Sequence, residues 1–127
     1  MIHEEICTYE VCKLAKEKGF REKCIEHYYD DTKDLYRSSN PQCYNFGGNT
    51  SDAPTQSLLQ RWLREEKGIF VEVLVDDDSN TPLTYNIHQY KDWNWECVCH
   101  HHGNYYAAND WELCLEDALK YALENLV

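Results

Sequence analysis

The densest group of potential metal ligands is the run ECVCHHHG near the end of the chain. If the surrounding strand continues, Cys97, Cys99 and His101 lie on one face, and thiolate and imidazole are the ligands that zinc prefers. Structural zinc sites usually combine a C-x₂₋₄-C knuckle with a second, distant pair of ligands, and no second pair is evident here. We therefore expect two buried strand thiols followed by a polar turn at His100–His102, with no bound metal or other cofactor. A zinc-binding protein that uses Cys97, Cys99 and His101 stays open as an alternative.

Other patterns that support catalysis or ligand binding in proteins are weak in this chain. Asp76, Asp77 and Asp78 lack the glycine and glutamate of a calcium-binding loop. The Gly47-Gly48 pair is not followed by the Lys-Ser/Thr of a phosphate-binding loop, and no G-x-S-x-G is present. The 7 cysteines and 6 histidines leave a Cys–His nucleophile open, but such pairs arise easily by chance. We predict no enzymatic activity and no catalytic residue.

The composition favours a globular protein that uses aromatic residues for contacts. The chain of 127 residues is 43% hydrophobic and contains 10 Tyr and 4 Trp, which is typical of a folded chain rather than a disordered one. Aromatic residues beyond those needed in the core can form a contact surface, and Trp93, Trp95, Tyr105 and Tyr106 are the candidates. They predict a non-catalytic protein-interaction protein. Its partner is expected to be a second copy, as a possible homodimer, or a host or phage protein.

The net charge of −11 makes the chain strongly acidic. Because phosphate backbones and anionic membrane surfaces repel such a chain, direct binding to nucleic acid or to a membrane is not expected. An acidic decoy for a DNA-binding host protein stays open as an alternative, and it requires carboxylates at phosphate-like spacing along one surface. The start, MIHEEICTYE, has no apolar run, and the odd cysteine count shows no secreted disulfide framework. A cytoplasmic protein without a signal peptide is expected.

The second part of the chain, residues 54–127, predicts an α-β-β-β-α unit. A helix is expected over residues 55–67, with Gly68 directly after its end. Three alternating runs with short polar connections predict a three-stranded antiparallel sheet over residues 69–101. A strong helical stripe predicts a last helix over residues 110–126, and both helices are expected on one face of the sheet.

The first part, residues 1–53, contains one clear helix, predicted over residues 9–18 with Thr8 as its N-cap. The run CIEHYYDDTKDLYR predicts a short hairpin, and SSNPQCYNFGGNTSDAP predicts a loop. This part is too small to hold its own core. The fold class is therefore expected to be α+β, with residues 1–127 forming a single domain in which the N-terminal helix and hairpin pack on the α-β-β-β-α unit.

The apolar stripes of the helices and strands predict which side chains form the core. The expected core residues are Leu14, Leu58, Leu59, Trp62, Val71, Val73, Ile87, Trp111, Leu115, Leu119 and Leu123.

Three segments, TYEVCKLAKEKGF, APTQSLLQRWLRE and DWELCLEDALKYAL, resemble in the same order a family of short uncharacterised proteins from gut-anaerobe genomes and their phages or prophages. The resemblance covers most of the chain, and its middle segment is the most specific. It implies a small cytosolic protein of a mobile element, and it implies no activity and no functional residue. The aromatic-rich middle of the chain and CVCHHH are not part of the shared pattern.

Overall fold

The computed structural model describes residues 3–75, 82–107 and 109–127, without the side chains of residues 101–105. This part of the chain contains three helices and two three-stranded antiparallel sheets. The predicted α+β class is therefore confirmed.

The chain divides into two compact units, residues 1–59 and residues 60–127, each with one of the two sheets. The division falls inside the second helix. That the whole chain forms a single domain stays a prediction.

Unit 1 contains one helix and three strands: α1 (Tyr9–Glu17), β1 (Cys24–Tyr29), β2 (Leu35–Gln42) and β3 (Thr50–Asp52). The strands pair antiparallel in the order β2-β1-β3, so the predicted helix and hairpin are confirmed. The predicted loop over SSNPQCYNFGGNTSDAP is wrong near both ends, because SSNPQ extends β2 and TSD forms β3. These polar runs lack the apolar alternation that identifies a strand, and pairing with β1 decides their conformation.

Hydrogen bonds stabilise both ends of α1, and the first end has the N-cap that the sequence predicts. The Thr8 side chain accepts a hydrogen bond from Val11 N at 3.4 Å, which makes it the N-cap. After the C-terminal end, Phe20 N donates to Ala15 O at 2.9 Å, and the Phe20 side chain is fully buried. The chain therefore folds back on the helix that it has just left, as in a Schellman-type end.

Asp30 connects α1 to the sheet of unit 1. Its carboxylate accepts a hydrogen bond from Ser51 Oγ at 2.6 Å and from Tyr9 Oη at 3.3 Å, and Lys16 Nζ and Lys13 Nζ lie at 3.4 and 3.5 Å. Burial by itself raises the pKa of Asp30, but the Ser51 hydrogen bond and the two lysine charges outweigh it, so the pKa is below its usual value. The folded state therefore favours the ionised carboxylate.

Unit 2 contains the strands β4 (Ile69–Val75), β5 (Leu83–Lys91) and β6 (Asn94–Tyr106) and the helix α3 (Trp111–Asn125), preceded by α2 (Gln56–Lys67). The strands pair antiparallel in the order β4-β5-β6, which confirms a three-stranded antiparallel sheet in this unit. The turn expected at His100–His102 is wrong, because these residues belong to β6. Helix α3 packs against all three strands.

That α2 and α3 share one face of this sheet stays a prediction, while two side chains of α2 reach the edge strand β4. Val71 is fully buried on the α3 side of β4, so the neighbouring Phe70 points to the opposite side. Arg64 of α2 lies beside Phe70, and Gln60 Nε2 donates to Val71 O at 2.6 Å. Because β4 is an edge strand, Gln60 contacts the open edge of the sheet, and the Arg64 side chain reaches the face that carries Phe70.

Most of the predicted core is buried. Leu59, Trp62, Val71, Ile87, Leu115, Leu119 and Leu123 are buried, while Leu14, Leu58 and Val73 are half-buried. The prediction is wrong for Trp111, whose side chain is 45% exposed. Helical side chains lean towards the N-terminus, so the first residue of α3 leans off the end of the helix and away from the sheet.

Candidate functional site

A register shift in β6 separates the two cysteines of the predicted ligand cluster. Cys97 pairs with His88 and Cys99 pairs with Ile87, so Val98 is an extra residue between two consecutive positions of β5. Because consecutive residues of a strand point to opposite faces, this bulge turns Cys97 and Cys99 to different sides of the sheet. The predicted shared face for these two thiols is therefore wrong.

The two thiols differ in burial because they lie on different faces of the sheet. Cys99 is half-buried on the α3 side, where burial raises its pKa and a hydrogen bond with Tyr121 lowers it only in part. Cys97 is exposed, so the expectation of two buried thiols is wrong for this residue. Within the described residues, no three His, Cys, Asp or Glu side chains are grouped to hold a metal ion. The side chain of His101 lies outside them, and the zinc alternative stays a prediction.

The face of the sheet opposite α3 is lined by large rings. Phe70 of β4, His88 and Tyr90 of β5 and Trp95 of β6 form what we call the outer aromatic cluster. The ring centroids of Trp95 lie 5.9 Å from Phe70 and 5.3 Å from Tyr90, and those of Phe70 and His88 are 6.1 Å apart. Cross-strand pairing of Phe70 with His88 and of Tyr90 with Trp95 produces these contacts.

A cavity of about 380 Å³ lies between the outer aromatic cluster and α2, lined by Arg64, Phe70, His88 and Trp95. His88 Nε2 lies 2.9 Å from Glu72 Oε1. The half-buried Arg64 has no hydrogen-bond or ion-pair partner within the described part of the chain. The cavity therefore combines three ring walls with one positive charge that no side chain among the described residues neutralises.

The turn between β5 and β6 holds Trp93 in an unfavourable backbone conformation. Asp92 and Trp93 form a two-residue turn with φ of +52° and +67°, which is the type I′ geometry that usually takes Asn-Gly or Asp-Gly. A left-handed conformation costs an L residue about 1–2 kcal/mol. The Trp93 side chain is 89% exposed, so burial does not offset this cost.

The structure brings together two of the four residues predicted for a contact surface. Trp93 and Trp95 are both exposed at the same end of the β5–β6 hairpin. The prediction is wrong for Tyr106, which is 2% exposed and donates its hydroxyl to Asp117 Oδ2 at 2.6 Å. A second register shift in β6 precedes Tyr106, and simple alternation does not reveal such shifts. The side chain of Tyr105 lies outside the described residues.

Sequence reasoning missed Arg64, Phe70, His88 and Tyr90 as site residues. Phe70 is on the less apolar side of the alternating run IFVEVLV, and His88 and Tyr90 are two residues apart on a strand, which is the available signal for a shared face. Nothing in the sequence places Arg64 beside them, because helix and strand meet only in the tertiary structure.

In unit 1, Ser38, His27 and Asp52 form a hydrogen-bonded chain across the three strands. His27 Nε2 lies 3.1 Å from Ser38 Oγ, and His27 Nδ1 lies 2.8 Å from Asp52 Oδ1. His27 and Asp52 are fully buried, and the rings of Tyr36 and Tyr44 lie 5.3 and 4.7 Å from the imidazole. Tyr44 N also donates to Asp52. The order of the three groups matches the nucleophile, base and orienting carboxylate of a serine hydrolase.

The hydrogen bonds of Ser38 oppose a catalytic role. Ser38 Oγ lies 2.7 Å from Asn40 O and 3.1 Å from Ile25 O, and carbonyl oxygens only accept. The hydroxyl proton is therefore directed at a carbonyl, and His27 Nε2 must donate to Ser38 Oγ. A protonated Nε2 has no lone pair to receive the serine proton. The network consequently ties three strands together instead of activating a nucleophile.

Comparisons with protein-family models, with curated proteins and with solved structures found no match for this chain. None of the helices in the described ranges is both long and apolar enough to cross a membrane. The outer aromatic cluster, the adjoining cavity and Trp93 are therefore the features that bear on function.

Proposed function

We propose that this chain is a non-catalytic protein-interaction protein whose contact surface is the outer aromatic cluster together with Trp93. The observation that carries the proposal is the concentration of partly exposed rings on the sheet face opposite α3, where Trp95 is 48% and Tyr90 44% exposed, next to the 89% exposed Trp93 of the β5–β6 turn. Aromatic residues are enriched at protein interfaces, because they supply a large contact area with few rotatable bonds. The partner is a second copy of the chain or a host or phage protein.

The backbone of Trp93 adds independent support. A strained residue persists when the rest of the structure compensates for it, and such residues concentrate at functional positions. A bulky apolar side chain that is exposed at a strained turn has no evident structural role in unit 2. Contact with a partner gives Trp93 the burial that it lacks in the isolated chain.

We also propose that the chain has no catalytic activity. The support for this is the hydrogen bonding of Ser38, which leaves Nε2 of His27 without a lone pair towards the serine hydroxyl. A buried His–Asp pair in the centre of a sheet also has a sufficient role in strand pairing.

The charge of the chain supports a protein partner rather than nucleic acid or a membrane. A net charge of −11 repels phosphate groups, and aromatic rings recognise protein surfaces without requiring opposite charge. The acidic-decoy alternative stays a prediction.

We also propose that the protein belongs to a phage or another mobile element and that it acts in the cytoplasm. The assignment to a mobile element is supported by the three segments that resemble the gut-anaerobe and prophage family. The cytoplasmic location is supported by the cysteine pattern of the sequence.

Photo-crosslinking tests the proposed surface. Benzoylphenylalanine replaces Trp93 in one variant and the exposed Gln42 of unit 1 in a matched control. We expect crosslinks from position 93 and not from position 42, either to a second copy in the purified protein or to a discrete band in a lysate of the source cells. Equal crosslinking from both positions, or none from position 93 in both samples, contradicts the proposal.

A further inference from the structure

We infer that the cavity beside α2 recognises an aromatic side chain with an adjacent carboxylate on the partner, the ring packing against both Phe70 and Trp95 and the carboxylate meeting Arg64. This inference rests on the proposed interaction function and specifies the chemistry of the partner. It concerns the cavity lined by Arg64, Phe70, His88 and Trp95.

The shape of the cavity suits a single planar group. Its volume of about 380 Å³ is near the lower end of the range in which proteins hold small organic groups. The rings of Phe70 and Trp95 meet at 64° with their centroids 5.9 Å apart, so two aromatic walls stand at an angle. A third ring can stack on one wall and meet the other edge to face, which are the two favoured arrangements of aromatic pairs.

The positive charge of Arg64 in the cavity indicates that the ligand carries a carboxylate beside its ring. Of the four arginines in the chain, Arg37 and Arg61 pair with the carboxylates of Glu26 and Glu65. Arg21 donates to two backbone carbonyls. Arg64 differs, because within the described residues its guanidinium has no such partner.

Arg64 has no acidic partner among the residues that the structure describes, although the chain is rich in Asp and Glu. Glu72, an acidic residue of the same face, is engaged by His88 at 2.9 Å. A half-buried guanidinium beside aromatic walls is well suited to bind a planar carboxylate through two parallel hydrogen bonds.

A single carboxylate fits this site better than a phosphate does. One guanidinium balances one negative charge, and the chain around it has a net charge of −11, which repels a dianion more strongly than a monoanion. The aromatic walls also contribute to binding only if the ligand includes a ring. Both features point to an aromatic residue whose carboxylate is its own C-terminus or the side chain of a neighbouring acidic residue.

Titration of the ¹⁵N-labelled full chain with matched probes tests the inference. The probes are N-acetylphenylalanine and its uncharged primary amide, and the indole N–H signals of the four tryptophans report binding. Assignment of the Trp95 signal uses the Trp95→Phe variant. We expect the Trp95 signal to shift saturably with the acid, and the acid to bind about fivefold to tenfold more tightly than the amide, as for a hydrogen-bonded ion pair that is partly exposed.

The variant Arg64→Gln should remove the preference for the acid, while Arg61→Gln should retain it. Arg61 is an exposed arginine of the same helix that pairs with Glu65, so it controls for the loss of a positive charge from α2. Equal affinity for acid and amide, an unchanged preference in Arg64→Gln, or no saturable shift of Trp95 overturns the inference.

A pair of capped dipeptide amides, Phe-Glu and Phe-Gln, distinguishes the source of the carboxylate. Two affinity ratios are compared: Phe-Glu over Phe-Gln, and N-acetylphenylalanine over its amide. If the first ratio is larger, the carboxylate is that of an acidic side chain. If the second ratio is larger, the carboxylate is that of a chain terminus. The two proposals fail in different ways. Crosslinking from position 93 without any probe binding overturns the inference alone, whereas probe binding without crosslinking contradicts the proposed interaction surface.

Discussion

Replacing Trp93 by glycine and by alanine separates the backbone strain of the β5–β6 turn from the loss of the indole. Both substitutions remove the same ring, which is 89% exposed and therefore buries little surface. They differ in the Cβ atom, which is unfavourable at the φ of +67° that this position requires.

The magnitude of the difference follows from two opposing effects. The left-handed conformation costs the alanine variant about 1–2 kcal/mol, and glycine avoids this cost. The greater freedom of glycine in the unfolded chain offsets about 0.5–1 kcal/mol of the gain. The loss of the indole itself is about 0.5 kcal/mol in both variants, because only about a tenth of a side chain of this size is buried. We therefore expect Trp93→Gly to be more stable than Trp93→Ala by about 1 kcal/mol.

Urea unfolding followed by circular dichroism measures this difference, provided that the slope m is the same for both variants. A difference of 1 kcal/mol corresponds to about 3–5 °C in Tm for a chain of this length. Gln89, a half-buried residue of β5, is the control, because in an ordinary strand position glycine is less stable than alanine by about 0.5–1 kcal/mol. If alanine is also the more stable residue at position 93, Trp93 is not strained, and the argument from strain to function is refuted.

Three further predictions concern the core, the buried network and the pH dependence of stability. Leu119 is fully buried in α3, so Leu119→Ala should cost about 2–5 kcal/mol in urea unfolding, and a loss below 1 kcal/mol would contradict its place in the core. His27→Ala removes the imidazole from the buried Asp52 carboxylate, which keeps only its hydrogen bonds from Tyr44 N, and should cost about 3–5 kcal/mol by the same measurement; a near-neutral variant would show that the pair is not structural. The pKa of Asp30 is lowered on folding, so its contribution is complete above the unfolded pKa near 4 and is lost as the pH falls through the lower, folded pKa. The stability difference between the wild type and Asp30→Asn should therefore be largest at neutral pH and shrink below about pH 4, and a difference that stays constant down to pH 2 would contradict the cause assigned to the shift.

The helices and the apolar strands were predictable because the residue pattern that identifies each of them lies within its own segment of the sequence. Thr8 marks the start of α1, Gly68 directly follows α2, and Leu115, Leu119 and Leu123 repeat at the helical period. Such patterns depend only on the spacing of side chains along one element. The polar strand β3 has no such pattern, because its conformation comes from pairing with β1.

The candidate site was predictable only in part, for a related reason. Trp93 and Trp95 were identifiable as surplus aromatic residues, but Tyr106 was not distinguishable from them by type. Its burial against Asp117 follows from a register shift, and a shift of one residue changes which face every later side chain occupies.

The sequence by itself determined the α+β class, the sheet β4-β5-β6, the helix α3 and the acidic character of this chain, because these depend on composition and on short-range periodicity. Only the tertiary structure decided that a bulge at Val98 turns Cys97 and Cys99 to opposite faces. It also brought Arg64 to Phe70 and Trp95, and it connected His27 to Ser38 and Asp52. These groupings join residues from different strands and helices, and their positions follow from the register and packing of whole elements rather than from any local pattern.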